Sequence, residues 1–148
     1  LYKMRVVKNI TQNIDINFKQ IFSKIENKKN LLKIDIEGGE YEVMDDILDN
    51  SSNIKMLIIE FHLINKKKEI FIESINRLKN KFDIIHIHPN NYIEKKNDED
   101  FFDVLEMTFL NKDINKYNKE FRYDFPITNL DFECFPDRKK IQFSFNKN

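Results

Sequence analysis

The chain has 148 residues, the length of one ordinary domain and enough to bury about two-thirds of the surface that its unfolded form exposes. Lys plus Arg and Asp plus Glu stand at 25 each, so no net field draws in a phosphate backbone or an anionic membrane, and a nucleic-acid partner is disfavoured. A single cysteine, Cys134, excludes an internal disulfide, and no apolar stretch approaches the roughly 20 residues that span a bilayer, which together point to a reducing, cytoplasmic setting.

The opening residues Leu1 to Ile10 lack a signal-peptide hydrophobic region, although a chain that starts at Leu leaves a removed leader open. Ile14, Phe18, Ile21, Phe22 and Ile25 then recur at three- and four-residue steps, the stripe of an amphipathic helix over Ile14 to Ile25. Leu31 to Ile36 is a short apolar run suited to a buried strand, ending at Glu37-Gly38-Gly39, the only two glycines in the chain. A helix burying Val43, Met44, Ile47 and Leu48 follows, stopped by the turn-forming run Asp49 to Asn53. Lys55 to Phe61 reads as a second buried strand, and Lys66-Lys67-Lys68 as the solvated start of a helix with Ile70, Phe71, Ser74, Ile75 and Leu78 on its inner face. Phe82 to His88 is a third strand, stopped by Pro89-Asn90-Asn91; a polar loop at Asn97 to Asp100 precedes a fourth, Phe102 to Leu110. Beyond Asn111 regularity fades, but Phe121, Tyr123, Phe125, Phe132, Phe135, Phe143 and Phe145 are too aromatic for a disordered tail, so this segment is expected to pack back onto the sheet.

Helices alternating with strands predict an α/β fold with a mainly parallel sheet and one antiparallel strand near its end. The expected organisation is one domain over residues 1–148, with a sheet-and-helix core at 10–110 and an aromatic-rich extension at 111–148. Ligands of open α/β sheets bind beyond the carboxyl ends of the strands, and here three strands close with polar groups two residues apart. Asp35 with Glu37, Glu60 with His62, and His86 with His88 form the pairs, and they contain all three histidines of the chain. Such a cluster suits proton abstraction from a hydroxyl, where a histidine takes the proton and a carboxylate orients the ring. It also suits an oxygen-and-nitrogen site for a divalent ion, and residue types alone do not separate the two; a metal is left as an open alternative, not an expectation.

Lys33-Ile34-Asp35-Ile36-Glu37-Gly38-Gly39-Glu40, followed by Ile58-Ile59-Glu60-Phe61-His62, resembles the FkbM-type methyltransferases, whose members read KIDVEGxE in the fourth strand. The stretches His86 to Tyr92 and Val104 to Leu110, and the ending around Leu130-Asp131-Phe132 and Pro136-Asp137-Arg138, are similar to members associated with sugar and polysaccharide methylation. The resemblance covers most of the chain from about Ile10 onward. It implies a class I (Rossmann-like) methyltransferase sheet whose fourth to seventh strands are the four read above. It also implies S-adenosylmethionine as methyl donor and an O-methyltransferase acting on a sugar or polysaccharide hydroxyl. On that reading Asp35, His62 and His88 are catalytic, Asp35, Glu37 and Gly38 bind the cofactor, and Glu60, His86, Asn90 and Tyr92 bind the acceptor.

One departure stands out: no glycine-rich turn precedes Lys33, where the family's first strand and cofactor loop lie. The chain is accordingly expected to be a truncated methyltransferase domain that binds the donor poorly and self-associates through an exposed sheet edge. Two other classes compete with the enzyme: a non-catalytic module holding a small sugar at the polar strand ends, and a metal-dependent hydrolase built on the acids and histidines.

Overall fold

A computed structural model describes residues 5–6, 12, 15–24, 30–92, 101–114, 124–138 and 141–144. Two residues of β1 (Arg5–Val6) pair in parallel with β2 (Asp15–Ile16), and helix α1 (Phe18–Lys24) follows. Among the described residues of the expected stripe, the helix begins at Phe18. Asn17 sets that start: its Oδ1 accepts from the Gln20 backbone N–H at 3.0 Å, satisfying a donor that the first turn leaves without a partner. Ile14 and Ile25, the ends of the expected helix, lie outside the described residues.

Strand β3 (Asn30–Ile34) stops two residues short of the expected Ile36, because the chain turns at once: the Gly39 N–H donates to the Ile36 carbonyl at 3.2 Å. Helix α2 (Met44–Asp49) ends at Asn50, and a single 3-10 turn over Ser51–Asn53 feeds strand β4 (Ile54–Phe61). Helix α3 (Lys68–Leu78) and strand β5 (Phe82–Pro89) come next. Strand β6 (Leu105–Asn111) starts three residues later than the expected Phe102, and the loop expected at Asn97 to Asp100 falls outside the described residues. Short strands β7 (Asp124–Phe125) and β8 (Phe143–Ser144) pair antiparallel near the end.

The main sheet has the order β3-β4-β6-β5. The β3/β4 ladder is parallel, whereas β4/β6 and β5/β6 are antiparallel. This corrects the expectation of a mainly parallel sheet. The one reversed strand does not sit at an edge; it inserts between β4 and β5 and so turns two of the three ladders antiparallel. Strands β3, β4 and β5 still point the same way, since two reversals through β6 restore the direction.

Alternation along the strands selects one face for the core. Leu57, Ile59 and Phe61 of β4 and Leu105, Met107 and Phe109 of β6 are buried there, under Met44 and Ile47 of α2 and Phe71 and Leu78 of α3. Each such side chain, fully withdrawn from water, stabilises the fold by about 1.5–3 kcal/mol. The inner face of α3 is narrower than its periodicity suggests: Phe71, Ser74 and Leu78 are buried, but Ile70 is 50% exposed.

The aromatic ending packs back in part. Phe125 stacks on Phe143 at 5.1 Å, and Phe143 meets Phe102 at 6.0 Å. Asn91 and Phe135 lock the segment to the end of β5, each donating to the other at 2.8 and 2.9 Å. Phe132 does not join, being 73% exposed, and Phe121, Tyr123 and Phe145 lie outside the described residues. Among the described residues no helix is long and apolar enough to cross a membrane.

Candidate functional site

Because β3, β4 and β5 run the same way, their carboxyl ends share one edge of the sheet, and the antiparallel β6 begins at that edge. Every residue singled out at a strand end is therefore brought to this side of the molecule. They do not form one cluster, however; they form two, with a polar row between them.

The first cluster is built on the glycine turn. Glu37 and Gly38 both have positive φ, 55° and 99°, which folds the chain back after β3. Glu40, three residues after Glu37, is drawn fully inside, with 0% of its surface exposed. Its Oε1 accepts from the backbone N–H groups of Ile36 and Gly38 at 3.2 and 3.1 Å, and contacts His62 Nδ1 at 3.0 Å. A buried carboxylate thus ties the turn after β3 to the imidazole beyond β4. Tyr41 fixes the same ring from its backbone side, donating its hydroxyl to the His62 carbonyl at 2.9 Å; burial raises the Tyr41 hydroxyl well above its usual value and keeps it a donor.

With Nδ1 occupied by Glu40, the other ring nitrogen of His62 faces Asp35 and Glu37, 3.8 and 3.6 Å away. Those two side chains are 42% and 85% exposed, whereas the His62 side chain is 13% exposed, so the imidazole lies at the base of an acidic, open rim. Burial pulls the His62 pKa down, but its hydrogen bond to Glu40 and the negative charges of Glu40, Glu37 and Glu60 outweigh it, and the net shift is upward from 6.5. A histidine held by a buried carboxylate through one nitrogen and presenting the other to an open rim is the arrangement of a general base with its orienting acid.

Gly38 serves this geometry through its backbone. Its N–H goes to Glu40 and its carbonyl accepts from Lys67 Nζ at 2.8 Å, so Lys67 leaves the solvated role expected of the lysine run and clamps the turn while lying over the Tyr41 ring. A Cβ at Gly38 would stand 3.2 Å from Leu63 Cδ1 and would require φ of +99° from an L-residue. Gly38→Ala is expected to lower stability by about 1–3 kcal/mol in urea unfolding, and an unchanged midpoint would show that the turn tolerates a different backbone shape.

Between the clusters, Asn90 donates to Glu60 Oε1 at 2.8 Å, which joins two residues expected to hold the acceptor. Glu60 is in register with Glu106 on β6, and Glu106 with His88 on β5, so these three stand in one row across the sheet. Lys33 reaches Glu106 Oε2 at 2.9 Å. That hydrogen bond raises the Lys33 pKa against the pull of burial, with further help from Glu106, Glu60 and Asp35, a sign that the edge as a whole is negative.

The second cluster joins His86 and His88 to Asp131, from the segment that returns over the sheet. His86 Nε2 lies 2.7 Å and His88 Nδ1 3.5 Å from Asp131 Oδ1, and the Ile127 N–H donates to Asp131 Oδ2 at 2.6 Å. Tyr92 stands apart from both clusters, 54% exposed, its ring 5.1 Å from that of Phe135 with Arg138 over it at 5.2 Å.

Glu40, Glu106, Lys67 and Asp131 were not singled out by sequence reasoning. Glu40 belongs to the quoted Lys33 to Glu40 block, and its place one helical step beyond Glu37 is the signal that could have marked it. Asp131 also lies in a quoted stretch, Leu130-Asp131-Phe132, but nothing there links it to His86, 45 residues away and joined by no periodicity.

Neither curated proteins nor solved structures give a match to the chain. The family model described as the methyltransferase FkbM domain matches residues 5–125. With more than half of its length matched and the block Lys33 to Glu40 forming the turn that holds His62, the chain belongs to the FkbM methyltransferase family.

Proposed function

We propose that this methyltransferase is an O-methyltransferase that uses S-adenosylmethionine, with His62 as the base that takes the proton of a sugar hydroxyl. The observation that carries the reading is the Glu40 carboxylate on His62 Nδ1, which leaves Nε2 facing the open rim of Asp35 and Glu37. Members of the family usually take the methyl from S-adenosylmethionine, whose sulfur is cationic. The exposed carboxylates of Asp35 and Glu37 fit that charge, and they are the residues that would hold this part of the cofactor. The expected arrangement of strands as the fourth to seventh of a class I sheet belongs to the same proposal, and the order β3-β4-β6-β5 with its reversed β6 supports it.

When bound, the cofactor supplies an electrophilic methyl group. The chain's own residues prepare the acceptor. Glu40 accepts the Nδ1 proton of His62 and so fixes the tautomer in which Nε2 carries the lone pair. An acceptor hydroxyl seated at the rim gives its proton to that nitrogen, and its oxygen gains the negative charge needed for attack. The imidazolium then formed is stabilised by Glu40, Glu37 and Glu60, the charges that already raise the His62 pKa. Asn90 and Glu60, linked to each other, offer an amide and a carboxylate to neighbouring hydroxyls, which favours a polyhydroxylated acceptor.

Incubation with methyl-labelled S-adenosylmethionine, at concentrations high enough to offset the poor donor binding expected without a glycine-rich loop, and a panel of glycan acceptors tests the reading. An alkali-stable methyl ether is expected; an alkali-labile methyl ester or an N-methyl product would sink the assignment to a hydroxyl. A second reading, sugar binding without methyl transfer, is favoured by one observation. Both glycines have their backbone groups engaged internally: Gly38 with Glu40 and Lys67, Gly39 with Ile36 and Glu42. Sugar binding by calorimetry with no binding of S-adenosylhomocysteine would select that reading.

A further inference from the structure

We propose that His86, His88 and Asp131 form a site for a divalent first-row metal ion of the zinc type, separate from the His62 cluster. A nitrogen of each histidine and a carboxylate oxygen of Asp131 lie within 4.8 Å of one another. In a tetrahedral site with metal–ligand bonds of about 2.1 Å, ligand atoms stand roughly 3.4 Å apart. The 3.5 Å between His88 Nδ1 and Asp131 Oδ1 already matches that spacing, and the 2.7 Å between His86 Nε2 and the same carboxylate needs only a small opening.

The hydrogen bonding of the cluster is incomplete without a further partner. Among the described residues, Nδ1 of His86 and Nδ1 of His88 are both buried without a hydrogen bond. A buried polar atom left in this state costs about 1–3 kcal/mol; an ion on His86 Nε2, His88 Nδ1 and Asp131 takes up the His88 atom, whereas His86 Nδ1 is the far nitrogen of its ring and is not a ligand. The three side chains are only 17%, 18% and 5% exposed, and the Phe125 ring, 5.9 Å from that of His86, keeps the surroundings apolar. A cavity of about 10 Å³ borders His88 and Asp131 but not His86, which leaves room beside the cluster for one water or ligand oxygen. Asp131 is aimed by the Ile127 N–H, the kind of outer hydrogen bond that holds a carboxylate in place for coordination.

Two imidazoles and one carboxylate suit zinc and its neighbours better than magnesium or calcium, which prefer oxygen alone. Coordination at His86 Nε2 displaces the proton it shares with Asp131, and that proton leaves to solvent, so affinity falls as pH falls. Three protein ligands leave one position for water or for an oxygen of a bound molecule. The ion would also fasten the returning segment 124–138 to β5, which makes binding visible as stability. The inference needs neither methyl donor nor acceptor, and stands apart from the role proposed for His62.

Zinc titrated into the metal-free chain against a chromophoric chelator, with cobalt(II) as a spectroscopic probe, tests it. One equivalent is expected to bind, to raise the melting temperature and, for cobalt, to give the intense visible bands of a tetrahedral site. His88→Gln and Asp131→Asn should each weaken zinc by on the order of 100-fold, while His62→Gln leaves it unchanged. Each variant's circular dichroism without metal distinguishes a lost ligand from a lost fold, and His88→Gln, whose Nδ1 has no hydrogen bond among the described residues, is the decisive one. Absence of stoichiometric zinc, or zinc lost in His62→Gln and retained in His88→Gln, would overturn the proposal.

Discussion

Glu40→Ala is expected to be the most destabilising single change at this edge, lowering the free energy of unfolding by about 2–4 kcal/mol. The side chain is wholly buried and its Oε1 serves three donors: Ile36 N–H, Gly38 N–H and His62 Nδ1. Alanine removes all three contacts and leaves the Gly38 N–H buried with no acceptor, in a turn already held at positive φ. One effect opposes this: Glu40 Oε2 is itself buried with no hydrogen-bond partner among the described residues, and its removal recovers part of the loss. The net loss is therefore smaller than the sum of three charged hydrogen bonds. Glu40→Gln separates the two roles, because its amide oxygen still accepts from the backbone while the negative charge beside His62 is gone. Urea unfolding of both variants reads the outcome. A loss under about 1 kcal/mol for alanine would mean that Lys67 on the Gly38 carbonyl holds the turn without Glu40.

The elements that periodicity reveals are those that the structure contains: α2, α3, β4 and β5 lie within a residue or two of their expected positions. Long-range order is where reading the sequence falls short. Nothing in Leu105 to Asn111 says that this strand inserts between β4 and β5, since its alternation of buried and half-buried residues suits either position. Consequently Glu106, placed in register with both Glu60 and His88, went unmarked. The site shows the same division. Asp35, Glu37 and His62 were legible because each closes a strand with polar residues, and they converge. His86 and His88 were legible as a pair, but the expectation that placed His88 with Asp35 and His62 differs from the structure, where Asp131 draws both histidines into a cluster of their own. Glu40 illustrates the physical reason: burial of a charge is written in its three-dimensional partners, and a Glu after two glycines reads from sequence as a solvated residue.

His62→Gln is expected to reduce kcat for methyl transfer by about 10²–10⁴-fold with little change in KM for the acceptor. As the proposed base, the residue acts when the proton moves, and glutamine keeps a polar group of similar reach without a titratable nitrogen. The wild-type pH profile carries the second half of the prediction. Only neutral His62 can accept a proton, so activity rises with pH, and its midpoint lies above 6.5 because Glu40, Glu37 and Glu60 outweigh the effect of burial. Removing the nearest charge, as Glu40→Gln does, moves that midpoint down. Stability runs the opposite way. A pKa raised by folding means that protonated His62 stabilises the native state; this contribution is complete below the unfolded value of 6.5 and is lost as pH climbs through the folded one. On the proposed role, the base is therefore gained over the pH range in which that share of stability is lost. Glu40 binds the two effects together, since the same carboxylate orients the ring and raises its pKa. A pH profile whose rising limb is identical in wild type and His62→Gln would assign the proton to another group, and restored activity on adding imidazole to His62→Ala would return it to this one.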